Sequence, residues 1–191
     1  MKYKRFDSET FSQMKSSGLT NSNNNLYIEY PENEHYKLFK QLVHENNIFE
    51  TNEDEVCSFV DGKIPYISNA LTIQTKFGSY IRVKSKGNNI DISSIQSFKK
   101  GDGTMLMNYI LGLLTRVMDE LGYTDIVLTC TGAVGVGSNI VKSDISDQMK
   151  FFRKFGFRLD GKFSRNIVNM IFHKDKYTPI MNDFKKIENY I

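Results

Sequence analysis

Phe98-Lys-Lys-Gly-Asp-Gly-Thr104 runs directly into Met105-Leu-Met-Asn-Tyr-Ile-Leu-Gly-Leu-Leu-Thr-Arg-Val-Met-Asp-Glu-Leu121, and these two stretches decide how the chain folds. Met105, Leu106, Tyr109, Ile110, Leu113, Leu114, Val117, Met118 and Leu121 recur at i, i+1, i+4, i+5. That period is a helix with a wide apolar stripe, and Gly122 ends it. At its entry the first-turn N–H groups lack internal acceptors and the helix dipole adds positive potential. Gly101 and Gly103 let a bulky anion approach the backbone there, and Lys99 and Lys100 add two charges. A diphosphate suits this arrangement; a tight strand-to-helix turn bordered by solvated lysines is the competing reading.

Upstream the period changes. Residues 70–75 alternate, Lys76-Phe-Gly-Ser79 turns, residues 80–84 alternate again, and Gly87-Asn-Asn89 turns before the strand at 90–95. This predicts a three-strand antiparallel meander. Downstream, Thr124-Asp-Ile-Val-Leu-Thr-Cys130 reads as a buried strand. A helical crossover joins it to the meander, so it should run parallel to its predecessor. Gly132-Ala-Val-Gly-Val-Gly137 leads to a helix from near Ser143 that buries Ile145, Met149, Phe152 and Phe155 and stops at Gly156. Residues 157–160 and 167–172 predict a hairpin. A last amphipathic helix begins at Thr178-Pro179 and carries Ile180, Phe184, Ile187 and Ile191 on one side.

Nearer the N-terminus, Phe6, Phe11 and Met14 mark a short helix capped by Asp7 and stopped near Gly18. Leu26-Tyr-Ile-Glu-Tyr30 reads as a strand halted by Pro31. From Asn33, the apolar residues Tyr36, Phe39, Leu42, Val43 and Ile48 predict a helix, and residues 51–60 a second, shorter one with an acidic first turn. The expected organisation is a polar N-terminal extension over 1–25, one α/β (α+β) domain over 26–173, and the terminal helix over 174–191 packed on it.

At 191 residues, 40% hydrophobic and 25% charged, the composition is that of one globular domain. No apolar run approaches a membrane span, and the basic N-terminus lacks the apolar core of a secretory signal, so a cytoplasmic location is expected. Cys57 and Cys130 form no CxxC pair, and the histidines show no ligand spacing with them, so neither disulfide nor metal is expected. A net charge of +3 suits an anionic ligand and is too small to argue for nucleic acid.

The element order, with Lys-Lys-Gly-Asp-Gly before the major helix and Phe151-Phe-Arg-Lys-Phe-Gly-Phe157 late, resembles the GNAT superfamily of N-acetyltransferases over residues 26–173. The resemblance implies a mixed, mostly antiparallel sheet flanked by helices and an acyl-CoA co-substrate, in the first instance acetyl-CoA. Lys99, Lys100, Gly101, Asp102, Gly103 and Thr104 would wrap its diphosphate. Ile92 and Ser93 would lie where backbone groups meet the pantetheine arm and the thioester carbonyl. The strand 126–130 would part from its neighbour there. The implied reaction is direct attack by the amine of a small molecule or peptide on the thioester, with backbone N–H groups stabilising the oxyanion. Two departures from the family matter, besides the missing asparagine that often opens the fourth helix, near whose place Ile145 stands. Phe98 stands where the loop motif carries arginine or glutamine, and Phe152 where the family commonly carries an acidic tyrosine next to the thiolate.

Beside that proposed acyl site, Asp91 is either the general base or an outward-facing strand carboxylate. Cys130 is read as a core thiol rather than an acyl acceptor, because no histidine can be placed beside it. Gly132-x-x-Gly-x-Gly137 reverses the dinucleotide fingerprint and is read as a substrate-side loop. Lys142, Lys150, Arg153, Lys154 and Arg158 form a basic cluster open to three readings: nucleic acid, the adenosine 3′-phosphate, or a solvated face. An N-acyltransferase is the leading expectation. A catalytically decayed binding or regulatory module is second, and a nucleic-acid accessory protein third.

Overall fold

The computed structural model describes residues 2–18, 25–29, 32–60, 64–131, 145–161 and 167–177. In chain order its elements are β1 (Lys2–Arg5), α1 (Ser8–Ser16), β2 (Leu26–Glu29), α2 (Glu34–Asn46), β3 (Glu50–Val60), β4 (Ile64–Gln74), β5 (Tyr80–Lys86), β6 (Asn89–Gln96), α3 (Asp102–Leu121), β7 (Ile126–Thr131), α4 (Ile145–Arg153), β8 (Phe157–Leu159) and β9 (Ile167–Phe172). The terminal helix read from Thr178, the glycine-rich stretch 132–137, Lys142 and the start of the fourth helix at Ser143 lie outside the described residues.

The helix boundaries follow local chemistry. Asp7 caps α1 by accepting from the amides of Glu9 and Thr10, and Asn33 caps α2 through Tyr36. Asn47, in the left-handed region, closes α2. The apolar stripe of α3 is its buried face, from Met105 to Met118, and Gly122 terminates it. Each fully buried leucine or isoleucine there contributes about 1.5–3 kcal/mol relative to exposure.

The strands form one sheet in the order β1-β2-β4-β5-β6-β7-β9-β8, with β3 paired to β4. The predicted meander is present as β4, β5 and β6, all antiparallel, and β7 runs parallel to β6 across the α3 crossover as expected. The predicted hairpin is β8 with β9. Register aligns Leu71, Val83, Ile92, Leu128 and Met170 across five strands, and this row faces the helices as the centre of the core. The architecture is the mixed, mostly antiparallel sheet flanked by helices that the GNAT resemblance implies.

Two expectations are corrected. Residues 51–60 are a strand, not a second short helix: β3 pairs with β4 along its whole length, from Glu50 opposite Gln74 to Val60 opposite Ile64. The acidic run that reads as a helical first turn is instead part of an edge strand, where its exposed carboxylates discourage further pairing. With β3 on one edge of β4, the other edge is divided between β2 at Tyr66–Ile67 and β5 from Ala70 onward. The stretch read as a polar N-terminal extension also contributes to the sheet. β1 pairs antiparallel with β2, and the buried Phe6 ring lies 4.4 Å from that of Tyr27.

Gly156 closes α4 at φ +87°, and a Cβ there would lie 3.0 Å from the carbonyl oxygen of His173. Gly156→Ala combines left-handed strain with that clash and should cost about 2–3 kcal/mol. The expected fall in Tm is about 4–10 °C by calorimetry; an unchanged Tm contradicts the packing of α4 against the end of β9.

Candidate functional site

The parallel pairing of β6 and β7 is short. It runs from Ile90–Ile126 to Ile92–Leu128 and then stops. Beyond that point, among the described residues, β6 continues to Gln96 against β5 and β7 continues to Thr131 against β9. A β-bulge coincides with the parting. Arg82 faces Ser94 while Val83 faces Ile92, so Ser93 is the extra residue. Residues 93–96 and 129–131 therefore border a gap among the described residues, and the β6 edge turned toward it has no strand partner among them. Ser93 is exposed there, its hydroxyl donating to the Arg82 carbonyl, whereas the Ile92 side chain is buried in the core.

At the same end of the sheet, the loop from Ser97 enters α3 through Gly101 at φ +98°, a backbone state only glycine takes without strain. A Cβ on Gly101 would meet nothing within 4 Å, so the loop is open on that side. No side chain of the cap residue satisfies the first turn. The Ser97 hydroxyl does part of that work, accepting from the Gly103 amide at 3.3 Å while donating to the Lys99 carbonyl at 2.7 Å. The Asp102 amide bonds the Lys99 carbonyl. Among the described residues, the amides of Gly101 and Thr104 make no hydrogen bond within the chain. Gly103 packs beneath Ile95 and Phe151, with Ser97 alongside.

Lys99 and Lys100 are exposed, and Lys99 lies over the Phe77 ring at 3.9 Å. Phe98, 62% exposed, anchors only its backbone, donating to the Ser79 hydroxyl. Asp102 behaves differently from its neighbours. Its side chain is fully buried and points inward, one oxygen accepting from the Thr75 hydroxyl at 3.3 Å and the other without a partner. It ties the start of α3 to the β4–β5 turn instead of facing the open side of the loop. Sequence reading missed Thr75, Ser79 and Ser97, whose hydroxyls brace the loop, because only the fold brings them to it.

Phe152 is buried in an aromatic cluster, edge-on to both Phe151 and Phe157. Phe151, not Phe152, is the ring beside Gly103. Of the basic residues around α4, Lys150 pairs with Asp147, and Arg158 donates to the carbonyls of Arg153 and Phe157. Asp91 lies on the sheet face opposite the helices, one residue before the parting. Burial raises its pKa, and the cations of Lys84 and Lys86 partly offset that.

No family model and no curated protein matches the chain. Solved structures do resemble it. A putative streptothricin acetyltransferase from Bacillus anthracis, crystallised with acetyl coenzyme A, is 11% identical over 90% of this chain and 96% of its own, with a TM-score of 0.38. An acyl-CoA N-acyltransferase from Pseudomonas aeruginosa is 13% identical over 56% of this chain and 69% of its own, also at 0.38. An N-acetyltransferase from Thermoplasma acidophilum in complex with coenzyme A is 13% identical over 87% and 79%, at 0.34. No helix among the described residues is long and apolar enough to cross a membrane, and no cluster among them could hold a metal ion.

Burial pushes the Cys130 thiol up to about 11, and its hydrogen faces the Met170 sulfur at 3.8 Å. A thiol so held is a poor nucleophile. In the native protein at pH 8, iodoacetamide should modify the half-buried Cys57 slowly and Cys130 only after denaturation. Rapid labelling of native Cys130, read by peptide mass spectrometry, contradicts its assignment to the core.

Proposed function

We propose that this chain is an acyl-CoA-dependent N-acyltransferase, with acetyl-CoA as the co-substrate and a small-molecule or peptide amine as the acceptor. One observation carries the reading: the parted edges of β6 and β7 open at the same end of the sheet as the glycine-rich start of α3. An acyl-CoA has two parts that need such a pair of features. Its diphosphate is drawn to the open amides of Gly101 and Thr104, the helix dipole, and the charges of Lys99 and Lys100. Its pantetheine arm is an extended chain with two amides, suited to the β6 edge along 93–96, which has no strand partner among the described residues.

In this reading the thioester carbonyl lies at the bulge around Ile92 and Ser93, where a backbone N–H stabilises the charge developing on oxygen. The acceptor nitrogen forms its bond to the carbonyl carbon, the carbon–sulfur bond breaks, and the electron pair leaves on sulfur. Asp91 takes the amine proton. The buried Phe152 ring has no proton for the departing sulfur, which leaves as a thiolate or is protonated from solvent. That ring, with Phe98 in place of a phosphate-binding side chain, favours a second reading in which the chain binds an acyl-CoA without turning it over.

Saturating CoA or acetyl-CoA should raise the Tm by mass action. Reversing the charge of both loop lysines, Lys99→Glu with Lys100→Glu, should weaken binding about tenfold or more, roughly 1.4 kcal/mol, while sparing the fold. Calorimetry showing no heat and no thermal shift with CoA sinks the proposal. Thiol release over a panel of amines then separates the two readings, since a binding module gives none.

A further inference from the structure

Lys84 and Asp91 sit directly opposite each other on β5 and β6, Nζ to carboxylate 3.5 Å, with side chains only 6% and 14% exposed. Register places them in one row with Ala70, Val127 and Ile171, so their lateral neighbours on the sheet are apolar. Such surroundings withdraw water from both groups and strengthen their mutual attraction. The Lys84 ammonium also lies 5.4 Å from the centroid of the buried Tyr66 ring, whose face favours a cation. The charged groups facing Asp91 come from β5: Lys84 in contact, Lys86 one position beyond, and Arg82 on the other side of Lys84. Arg82 is engaged with the Thr72 hydroxyl and, at 3.9 Å, with Asp54 on β3. On β7 the opposite residue is the uncharged Val127.

We propose that Lys84 is a positioning residue for acyl transfer: it holds Asp91 as a carboxylate one residue before β6 and β7 part, ready to take a proton from the acceptor amine. This rests on the acyltransferase reading. Desolvation by itself would keep Asp91 protonated to higher pH, and a protonated Asp91 cannot act as base. Lys84 opposes that effect without touching substrate. In the step itself the nitrogen–hydrogen bond breaks as the nitrogen–carbon bond forms, the proton passes to Asp91, and the thiolate departs.

The test begins on the free protein, labelled with ¹³C at aspartate carboxyls and titrated by NMR. Lys84→Met should raise the Asp91 midpoint by about one to two pH units, and Lys84→Arg should restore it in large part. The fold already raises the Asp91 pKa, so its protonation favours the folded state. The Tm deficit of Lys84→Met should therefore be full above the Asp91 midpoint and shrink as pH falls through it. The double variant Lys84→Met with Asp91→Asn should recover most of the lost Tm, which separates an unpaired carboxylate from a general folding failure.

The acid limb of kcat/KM for thiol release from acetyl-CoA, with small amines and a lysine peptide as acceptors, should move with the NMR midpoint. An unmoved midpoint overturns the proposal. So does a moved midpoint with an unmoved acid limb, or acetyl-CoA binding without turnover, and both leave the acyl-donor site standing. Failure of the wild-type protein to bind acetyl-CoA instead overturns the acyltransferase reading, and the catalytic role of Lys84 with it.

Discussion

The crossover made by α3 is the constraint on which the rest depends. A helix joining two parallel neighbours must return antiparallel to them, so its N-terminus lies at the end where the first strand stops. Twenty residues of helix span about 30 Å, and the eight residues of β6 about 26 Å. The helix therefore runs the full length of β6, and its apolar stripe packs into the same core as the row from Leu71 to Met170. Its positive end and the C-terminal ends of β6 and β7 are then obliged to meet. The ladder between β6 and β7 ends in the region that the helix dipole makes receptive to an anion.

The loop that spans this junction is braced from behind. Thr75 reaches Asp102, Ser79 takes the Phe98 amide, and Ser97 bridges Lys99 and Gly103. These contacts hold the loop on its inner side and leave Gly101 and Thr104 available on the outer one. The buried Asp102 oxygen without a partner carries a penalty of about 1–3 kcal/mol. The proximity of a carboxylate to a helix N-terminus offsets part of it. The other face of the sheet follows a different logic: there a cation and an anion on adjacent strands share a row with apolar neighbours, and each makes the other's burial tolerable.

Local rules carried the helices and the meander. Asp7, Asn33, Gly122 and Gly156 act at short range through caps and left-handed turns, so they read directly from the chain. The stripe of α3 reads for the same reason, since a period of 3.6 survives any tertiary context. Residues 50–60 did not read correctly. Acids followed by Val56, Phe59 and Val60 suit a helical first turn and an edge strand equally, and the free edge of β4 decides between them. β1 went unread because four residues with three charges gain their strand only from pairing with β2.

The candidate site divides in the same way. Glycines next to lysines at a helix entry are a local signal, and so the glycine-rich entry to α3 was legible in one dimension. The point where β6 and β7 part depends on register among four strands. The inward turn of Asp102, the burial of Phe152 and the partnership of Lys84 with Asp91 depend on which side of the sheet or helix each residue occupies. Charge and size are properties of a residue, and the chain states them. Burial and partnership are properties of a place, set by elements distant in sequence, and only the folded sheet supplies them.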